Sequence, residues 1–295
     1  MSMTDPHARA VPALPAGAAL IDLSMPIEPN PFDPAVLRRQ LWRHEDGGRR
    51  IGRKAAFNRR LPLWTRLSRA AAYVTRRRRI DAGCFPDHSF LGNELFTLSV
   101  HAGSHMDAPF HYGPLCEGRD ALRIDQIPLD WCVGNGVLLR LTHKKACEEI
   151  SAEDVAAELD RIGHVPRQGD IVLIQTGSDE LWPGPRYFGA HPGMSVGAVR
   201  HLTDHGVKVI GIDTAGFDLP APVMIERFYA TGDPSCLWPC HLFGRTREYL
   251  QIERMGGLAR LPRQTGFTVL CPPIRVTDAG AAWVRPVAVV PEETP

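Results

Sequence analysis

The pattern of apolar and polar positions changes period several times along this chain. Ala19-Leu-Ile-Asp-Leu-Ser-Met-Pro-Ile27 is a short apolar run ended by Pro26 and Pro29, and it predicts a first strand. Gly134–Leu141 (G-N-G-V-L-L-R-L) and Asp170–Gly177 (D-I-V-L-I-Q-T-G) are apolar runs bounded by glycine, which predicts buried strands. Between them, Ser151-Ala-Glu-Asp154 precedes Val155, Leu159 and Ile162, the spacing of a capped amphipathic helix. A second helix is expected from Ser195, with Val196, Val199 and Leu202 on one face and a stop at Gly206. Val207–Asp213, Gly266–Leu270 and Val284–Val290 read as further buried strands. Strands and helices mix without a regular βαβ period or an internal repeat, so the expected class is α/β or α+β with a mixed sheet.

The stretch from Phe96 to His111 carries the densest chemistry. Its even positions (Phe96, Leu98, Val100, Ala102, Met106, Ala108, Phe110) are mostly apolar, and from His101 onward the odd ones are His, Gly, His, Asp, Pro and His. Period 2 predicts an extended segment with one face in the core and one face carrying imidazoles and a carboxylate. In a straight strand His101 and His105 would sit about 13 Å apart, at roughly 3.3 Å per residue. Two ligands of one ion need a bend, and Gly103 is where the chain can bend. The donors His101, His105 and Asp107 suit zinc, with manganese possible because a carboxylate is present. His111 lies past Pro109 and is better placed to carry protons than to complete the ligand set. The competing reading is a cluster of core histidines with satisfied hydrogen bonds.

Composition changes the picture in one respect. The 295 residues, 44% of them hydrophobic, suffice for one large domain or two small ones. The formal net charge of +1 excludes a global pull toward nucleic acid or membrane. It conceals an asymmetry, because Arg38–Arg79 holds fifteen Lys/Arg against Glu45 and Asp46. This segment also carries Trp42, Trp64 and Tyr73 and ends in Arg76-Arg-Arg-Arg79. One short run is a weak nucleic-acid footprint, and such an insert can equally pack on its own domain or on a neighbouring subunit.

Seven scattered cysteines, odd in number, fit a reducing compartment. Residues 1–18 read as a disordered tail and not a signal peptide. No run reaches the length of a membrane helix, so a cytoplasmic protein is expected. The resulting plan is one domain over residues 19–290 with an arginine-rich insert at about 38–82.

The string H-x-G-S-H-x-D-A-P-x-H, from His101 to His111, resembles the signature H-x-G-T-H-x-D-x-P-x-H of the metal-dependent cyclase and hydrolase family that includes bacterial kynurenine formamidase and isatin hydrolase. Ser104 keeps the hydroxyl of the usual threonine. Asp22-Leu-Ser24 resembles the family's opening strand, Gln175-Thr-Gly177 its R-T-G strand, Gly211-Ile-Asp213 its G-I-D strand, and Gly280–Ala288 (G-A-A-W-V-R-P-V-A) its closing strand. The fold this implies is a swivelling β/β/α domain. Phe32, otherwise a loop anchor, stands about where the family places an aromatic that lines the substrate pocket. Gly216 replaces the serine that follows G-I-D-x-x, which bears on substrate orientation.

The resemblance also implies a second metal element, His241 followed twelve residues later by Glu253. Asp107 and Glu253 would then bridge two ions, Zn2+ or Mn2+, with His101 and His105 on the first and His241 on the second. The rival for His241 is a small thiolate zinc site with Cys236 and Cys240. The implied activity is hydrolysis of a small amide, formamide or lactam, with N-formylkynurenine and isatin as model substrates of tryptophan catabolism. His111 would carry the proton, and a homodimer or higher homo-oligomer is expected. The alternatives are a metal-dependent cyclase or dehydratase, and a metal-stabilised binding protein without catalysis.

Overall fold

The computed structural model describes residues 17–33 and 37–292. The segment read as a tail lies, up to residue 16, outside the described residues. The chain divides into two compact units, one built from residues before Val36 and after Leu98, the other from Val36–Leu98.

The larger unit is organised by a nine-stranded mixed sheet. Its strands are β1 (Ala19–Asp22), β2 (His105–Asp107), β3 (Val133–Arg140), β4 (Asp170–Gln175), β5 (Val209–Ile212), β6 (Leu250–Glu253), β7 (Phe267–Leu270), β8 (Ala281–Trp283) and β9 (Val287–Val290). The order across the sheet is β1-β9-β7-β3-β4-β5-β6-β2-β8. Strands β3, β4, β5 and β6 run parallel to their neighbours in that set, and the flanking pairs are antiparallel. The middles of the central strands are apolar on both faces for a physical reason. In β4, Ile171 and Leu173 enter one core while Val172 and Ile174 enter the other, so both faces of the sheet are covered.

Helices α1 (Pro109–Tyr112), α2 (Ala152–Arg161), α3 (Val196–Asp204), α4 (Ala221–Thr231) and α5 (Pro239–Phe243) pack around it. Val155 and Leu159 of α2 and Ala198, Val199 and Leu202 of α3 fill the second core. Helix α2 starts in a capping box, with Ser151 Oγ accepting from Asp154 N at 3.2 Å and Asp154 Oδ2 accepting from Ser151 N at 2.7 Å. Ser195 Oγ caps α3 in the same way, accepting from Ala198 N. Both helices start where the sequence places them.

Three expectations need correction. Val284–Val290 is not one strand, because the chain leaves the sheet between Trp283 and Val287. Pro286 has no N–H to donate there, and its carbonyl instead accepts from Leu23 N at 2.9 Å. The stretch Phe96–His111 is not continuously extended either. It is strand over Asn93–Leu98, turn over 100–104 with Gly103 at φ +64, strand over β2, then the helical turn α1. Pro109 stands at the start of α1, where a missing N–H costs nothing. Finally, Phe96 and Leu98 lie in the smaller unit, and Phe96 is exposed.

The smaller unit pairs Leu37–Trp42 antiparallel with Asn93–Leu98 and carries helices His44–Ala56 and Leu63–Val74. It holds fifteen Lys/Arg against five acids, Glu45, Asp46, Asp81, Asp87 and Glu94. Gly52 on the first helix admits the Ile80 carbonyl so closely that a Cβ there would stand 1.9 Å from its oxygen.

Candidate metal centre

Strand β2 is three residues long, and its two neighbours decide what its ends face. It pairs with β6 in a register that sets His105 opposite Glu253, and with β8 on the other edge. Directly opposed residues carry their side chains side by side, so the carboxylate of Glu253 and the imidazole of His105 meet although 148 positions separate them. The turn at Gly103 returns His101 to the same point, with Nδ1 3.1 Å from Asp107 Oδ1. Helix α1 brings His111 back over the strand, with Nε2 3.9 Å from Asp107 Oδ2. Helix α5 supplies His241, whose Nε2 lies 3.8 Å from Asp107 Oδ2 and 3.6 Å from Glu253 Oε1.

The two carboxylates split their oxygens between two sides. Asp107 Oδ1 faces His101 and His105, at 3.1 and 3.8 Å, and Glu253 Oε2 lies 3.3 Å from His105 Nε2. Asp107 Oδ2 and Glu253 Oε1 face His241, and His111 adjoins the same Asp107 oxygen. Ligand atoms about 2.1 Å from a tetrahedral ion lie roughly 3.4 Å from one another, so these separations are those of a ligand shell. The donor atoms of His105, Asp107 and Glu253 all fall within 4.8 Å of one another, as do those of His101, Asp107 and His111.

Polar bookkeeping gives an independent test of fit. Both oxygens of Asp107 and Nε2 of His105 are buried and have no hydrogen-bond partner. The imidazoles of His101 and His105 stand 3.1 and 3.8 Å from Oδ1 as counter-charges without completing a hydrogen bond, so the carboxylate keeps its lone pairs free for a ligand. A divalent cation between them satisfies all three atoms. The imidazoles are set for it: His105 Nδ1 lies 2.9 Å from Gly103 O and His241 Nδ1 lies 2.5 Å from Asp218 Oδ2. A hydrogen held on each Nδ1 leaves the Nε2 lone pair aimed into the site.

The charges answer one another. Burial would raise the Asp107 carboxyl, but the surrounding imidazoles, His105 first, outweigh it and hold the group below the usual carboxylate range. Burial would lower His241, yet its bond to Asp218 outweighs that and lifts it to about 9, so a cation binding there must displace the Nε2 proton before that lone pair is free. His111 goes the other way. Burial and the neighbouring imidazoles of His101 and His241 push it below the usual value, against the pull of Asp107, so it is neutral at pH 7.

Asp218 had no assigned role in the sequence. It lies two residues past Gly216, and besides His241 Nδ1 it accepts from Cys240 N at 2.7 Å and His241 N at 3.3 Å. The one available signal was a carboxylate close after the G-I-D strand. Asp213 of that strand is taken up structurally, accepting from Thr176 N and Oγ1 and from Gly177 N, which ties the ends of β4 and β5 together. Its burial nevertheless raises its pKa to about 7.

The site opens into a cleft of about 270 Å³, lined in part by His101, His111, Phe188, His191, Gly216 and Arg254. Buried His191 holds its Nδ1 2.8 Å from Pro192 O, which leaves Nε2 as an acceptor. A side chain at Gly216 would begin 4.0 Å from that Nε2, so glycine there leaves the cleft open beside His191. Arg254, at φ +58, is paired with Asp33 at 2.7 Å and stacks over Phe188. Phe32 is half exposed and is not among the residues that line the cleft; Phe188, Phe217 and Trp238 supply its aromatic surface. The cysteine rival for His241 is not supported. Cys240 Sγ donates to Met194 O at 3.0 Å and Cys236 Sγ to Asp233 O at 3.0 Å, and among the described residues neither joins a ligand cluster.

Comparison with known proteins agrees with this architecture. Isatin hydrolase A from Labrenzia aggregata bound to benzyl benzoate is 19% identical, with 93% of this chain and 94% of that one covered at a TM-score of 0.61. Isatin hydrolase A from Ralstonia solanacearum is also 19% identical, with 92% of each chain covered and a TM-score of 0.62. A predicted metal-dependent hydrolase from Bacillus stearothermophilus is 19% identical, covering 93% of this chain and 99% of that one at 0.55. At these identities the likeness establishes the fold, a mixed α/β domain on a large sheet. The family model Cyclase matches residues 21–219, and with two thirds of its length matched the chain belongs to the Cyclase family.

Proposed function

We propose that the protein is a metal-dependent hydrolase of a small amide, formamide or lactam, resembling isatin hydrolase and arylformamidases in its chemistry. The observation that carries this reading is the Asp107 carboxylate. It is fully buried, both oxygens lack hydrogen bonds, and each faces a different set of histidines. Structure alone does not require such an arrangement, and two divalent ions, zinc first and manganese second, suit its donors. His101, His105, Asp107 and Glu253 would hold the first ion, and Asp107, Glu253 and His241 the second. Ions held there supply Lewis acidity toward a carbonyl and toward water.

The remaining steps fall to the chain. His111 is neutral, half-buried and at the mouth of the cleft, the state a proton acceptor needs at neutral pH. It takes a proton on the attacking side and returns it to the leaving nitrogen. His191 Nε2 offers an acceptor to a substrate N–H, and the Arg254 guanidinium offers donors to a substrate oxygen. The cleft is at the small end of ligand pockets, which favours a compact substrate.

The test is a hydrolysis screen with chelated protein reloaded with Zn2+ or Mn2+, against N-formylanilines, isatin and simple lactams. Metal-dependent release of a carboxylate from at least one of them is expected. A protein that binds metal stoichiometrically and hydrolyses none of these would sink the reading.

A further inference from the structure

The smaller unit contains a cavity that the hydrolase reading does not use. It has a volume of about 890 Å³ and is lined by Arg69, Arg77, Arg78 and Arg79, with Ser68 and Tyr73 beside them and Ala55, Ala56, Ala72 and Ile80 as an apolar floor. Two observations separate it from an ordinary solvated basic surface. Arg79 Nε is buried without a hydrogen-bond partner, its nearest carboxylate being Asp81 Oδ2 at 3.7 Å. Among the described residues Arg69, Arg77 and Arg78 have no acidic partner at all. Four arginines therefore line one cavity whose one acidic contact among the described residues is the distant Asp81 carboxylate beside Arg79.

The helix Leu63–Val74 points the same way. It turns Ser68, Arg69, Ala72 and Tyr73 toward the cavity, while Leu63, Trp64, Leu67 and Val74 are 55%, 81%, 48% and 70% exposed. The helix buries no residue fully; Ala72 and Tyr73 are half-buried at the cavity, and Ser68 and Arg69 stand exposed at its rim.

We propose that this cavity binds a small organic oligophosphate, with its phosphoryl groups on Arg69, Arg77, Arg78 and Arg79 and its flat body on the alanine floor, beside the Tyr73 ring over which Arg79 lies. Guanidinium forks match phosphate oxygens in pairs, and the volume is that of a small-ligand pocket. A nucleic-acid strand would instead call for a stripe of charge along an extended face.

The experiment is titration calorimetry on the intact, metal-loaded protein with adenosine diphosphate and, separately, inorganic pyrophosphate. Adenosine diphosphate should bind saturably at one site per chain and weaken as salt rises from 50 to 200 mM. Pyrophosphate should bind more weakly, because it cannot reach the floor. The double variant R77Q/R78Q, at two exposed positions and checked for fold by circular dichroism, should weaken both ligands at least tenfold. Ala72→Leu, which shortens the floor, should weaken only adenosine diphosphate. Absence of saturable binding, or binding unchanged in R77Q/R78Q, would overturn the proposal. So would an RNA oligonucleotide or anionic vesicles that bind through these arginines and are not displaced by adenosine diphosphate, since the arginines would then serve an open surface.

Discussion

Asp107 and His111 sit four positions apart and carry different burdens. Asp107 has no hydrogen-bond partner for either oxygen, whereas His111 is half-buried at the cleft with its imidazole neutral. Changing His111 to Asn should therefore leave most of the bound metal in place and lower turnover by about 10²- to 10⁴-fold, the scale of a lost proton carrier. His101→Ala should lose metal and turnover together. Elemental analysis beside kinetics separates the two, and equal metal loss in both variants would make His111 a ligand, as its closeness to His101 and Asp107 allows. Asp218 is argued differently, because it touches His241 and not the reacting atoms. Asp218→Asn loses the charge that fixes the Nδ1 hydrogen of His241, so metal affinity should fall about 10- to 100-fold. Asp218→Glu should restore part of it, which a merely space-filling role would not produce.

At the scale of elements, what was legible depended on whether the signal was local. The donors His101, His105 and Asp107 fall within seven residues, and the helix starts at Ser151 and Ser195 are written in adjacent side chains. The pairing of β2 with β6 is not local, and without it Glu253 and His105 have no reason to meet; only the resemblance pointed to Glu253. The period-2 pattern from Phe96 through Phe110 did not survive folding as one extended segment, because it spans two strands of different sheets, a turn and a helical turn, and such a pattern does not mark the change of unit at Leu98.

Helix α2 also gives a pH test away from the metal site. Glu158 is buried and accepts from Arg161 Nε at 2.6 Å, Gln264 Nε2 at 2.8 Å and Arg140 N at 2.9 Å. The Arg161 bond comes first among the causes that hold its pKa down at about 2 against an ordinary 4.5. The folded value is depressed, so its stabilising contribution is present above pH 4.5 and lost as pH falls toward 2. Glu158→Gln should cost about 2 kcal/mol at pH 7, the scale of hydrogen bonds to a charged group. The gap from the parent should narrow in urea melts taken stepwise below pH 4.5. A gap independent of pH would show that packing, not charge, is what the substitution removes.

For the whole molecule, the metal centre is part of the folding energetics as well as the chemistry. The larger unit places Asp107 and Glu253 in a buried part of its sheet, and no described helix of either unit is long and apolar enough to cross a membrane and change that solvent reference. The two carboxylates, brought together by β2 and β6, are charge-compensated by the imidazoles around them, and a cation held between them adds stability to the native state alone. An ion at 100 times its Kd stabilises the native state by about 2.7 kcal/mol. For a chain of this size that is a rise in Tm of about 5 to 10 °C, at roughly 2–4 °C per kcal/mol. Chelation should therefore lower Tm by that amount, and adding Zn2+ back should restore it. Asp107→Asn should abolish this metal response and melt below the chelated parent, because the surrounding imidazoles hold the Asp107 carboxyl below its usual range and so favour its ionised form in the fold. If the chelated parent melts as high as the loaded protein, the carboxylates are satisfied without metal and the centre is not built as described. If Asp107→Asn still responds to Zn2+ as the parent does, the Asp107 carboxylate is not a ligand, and the argument from its unpartnered oxygens fails.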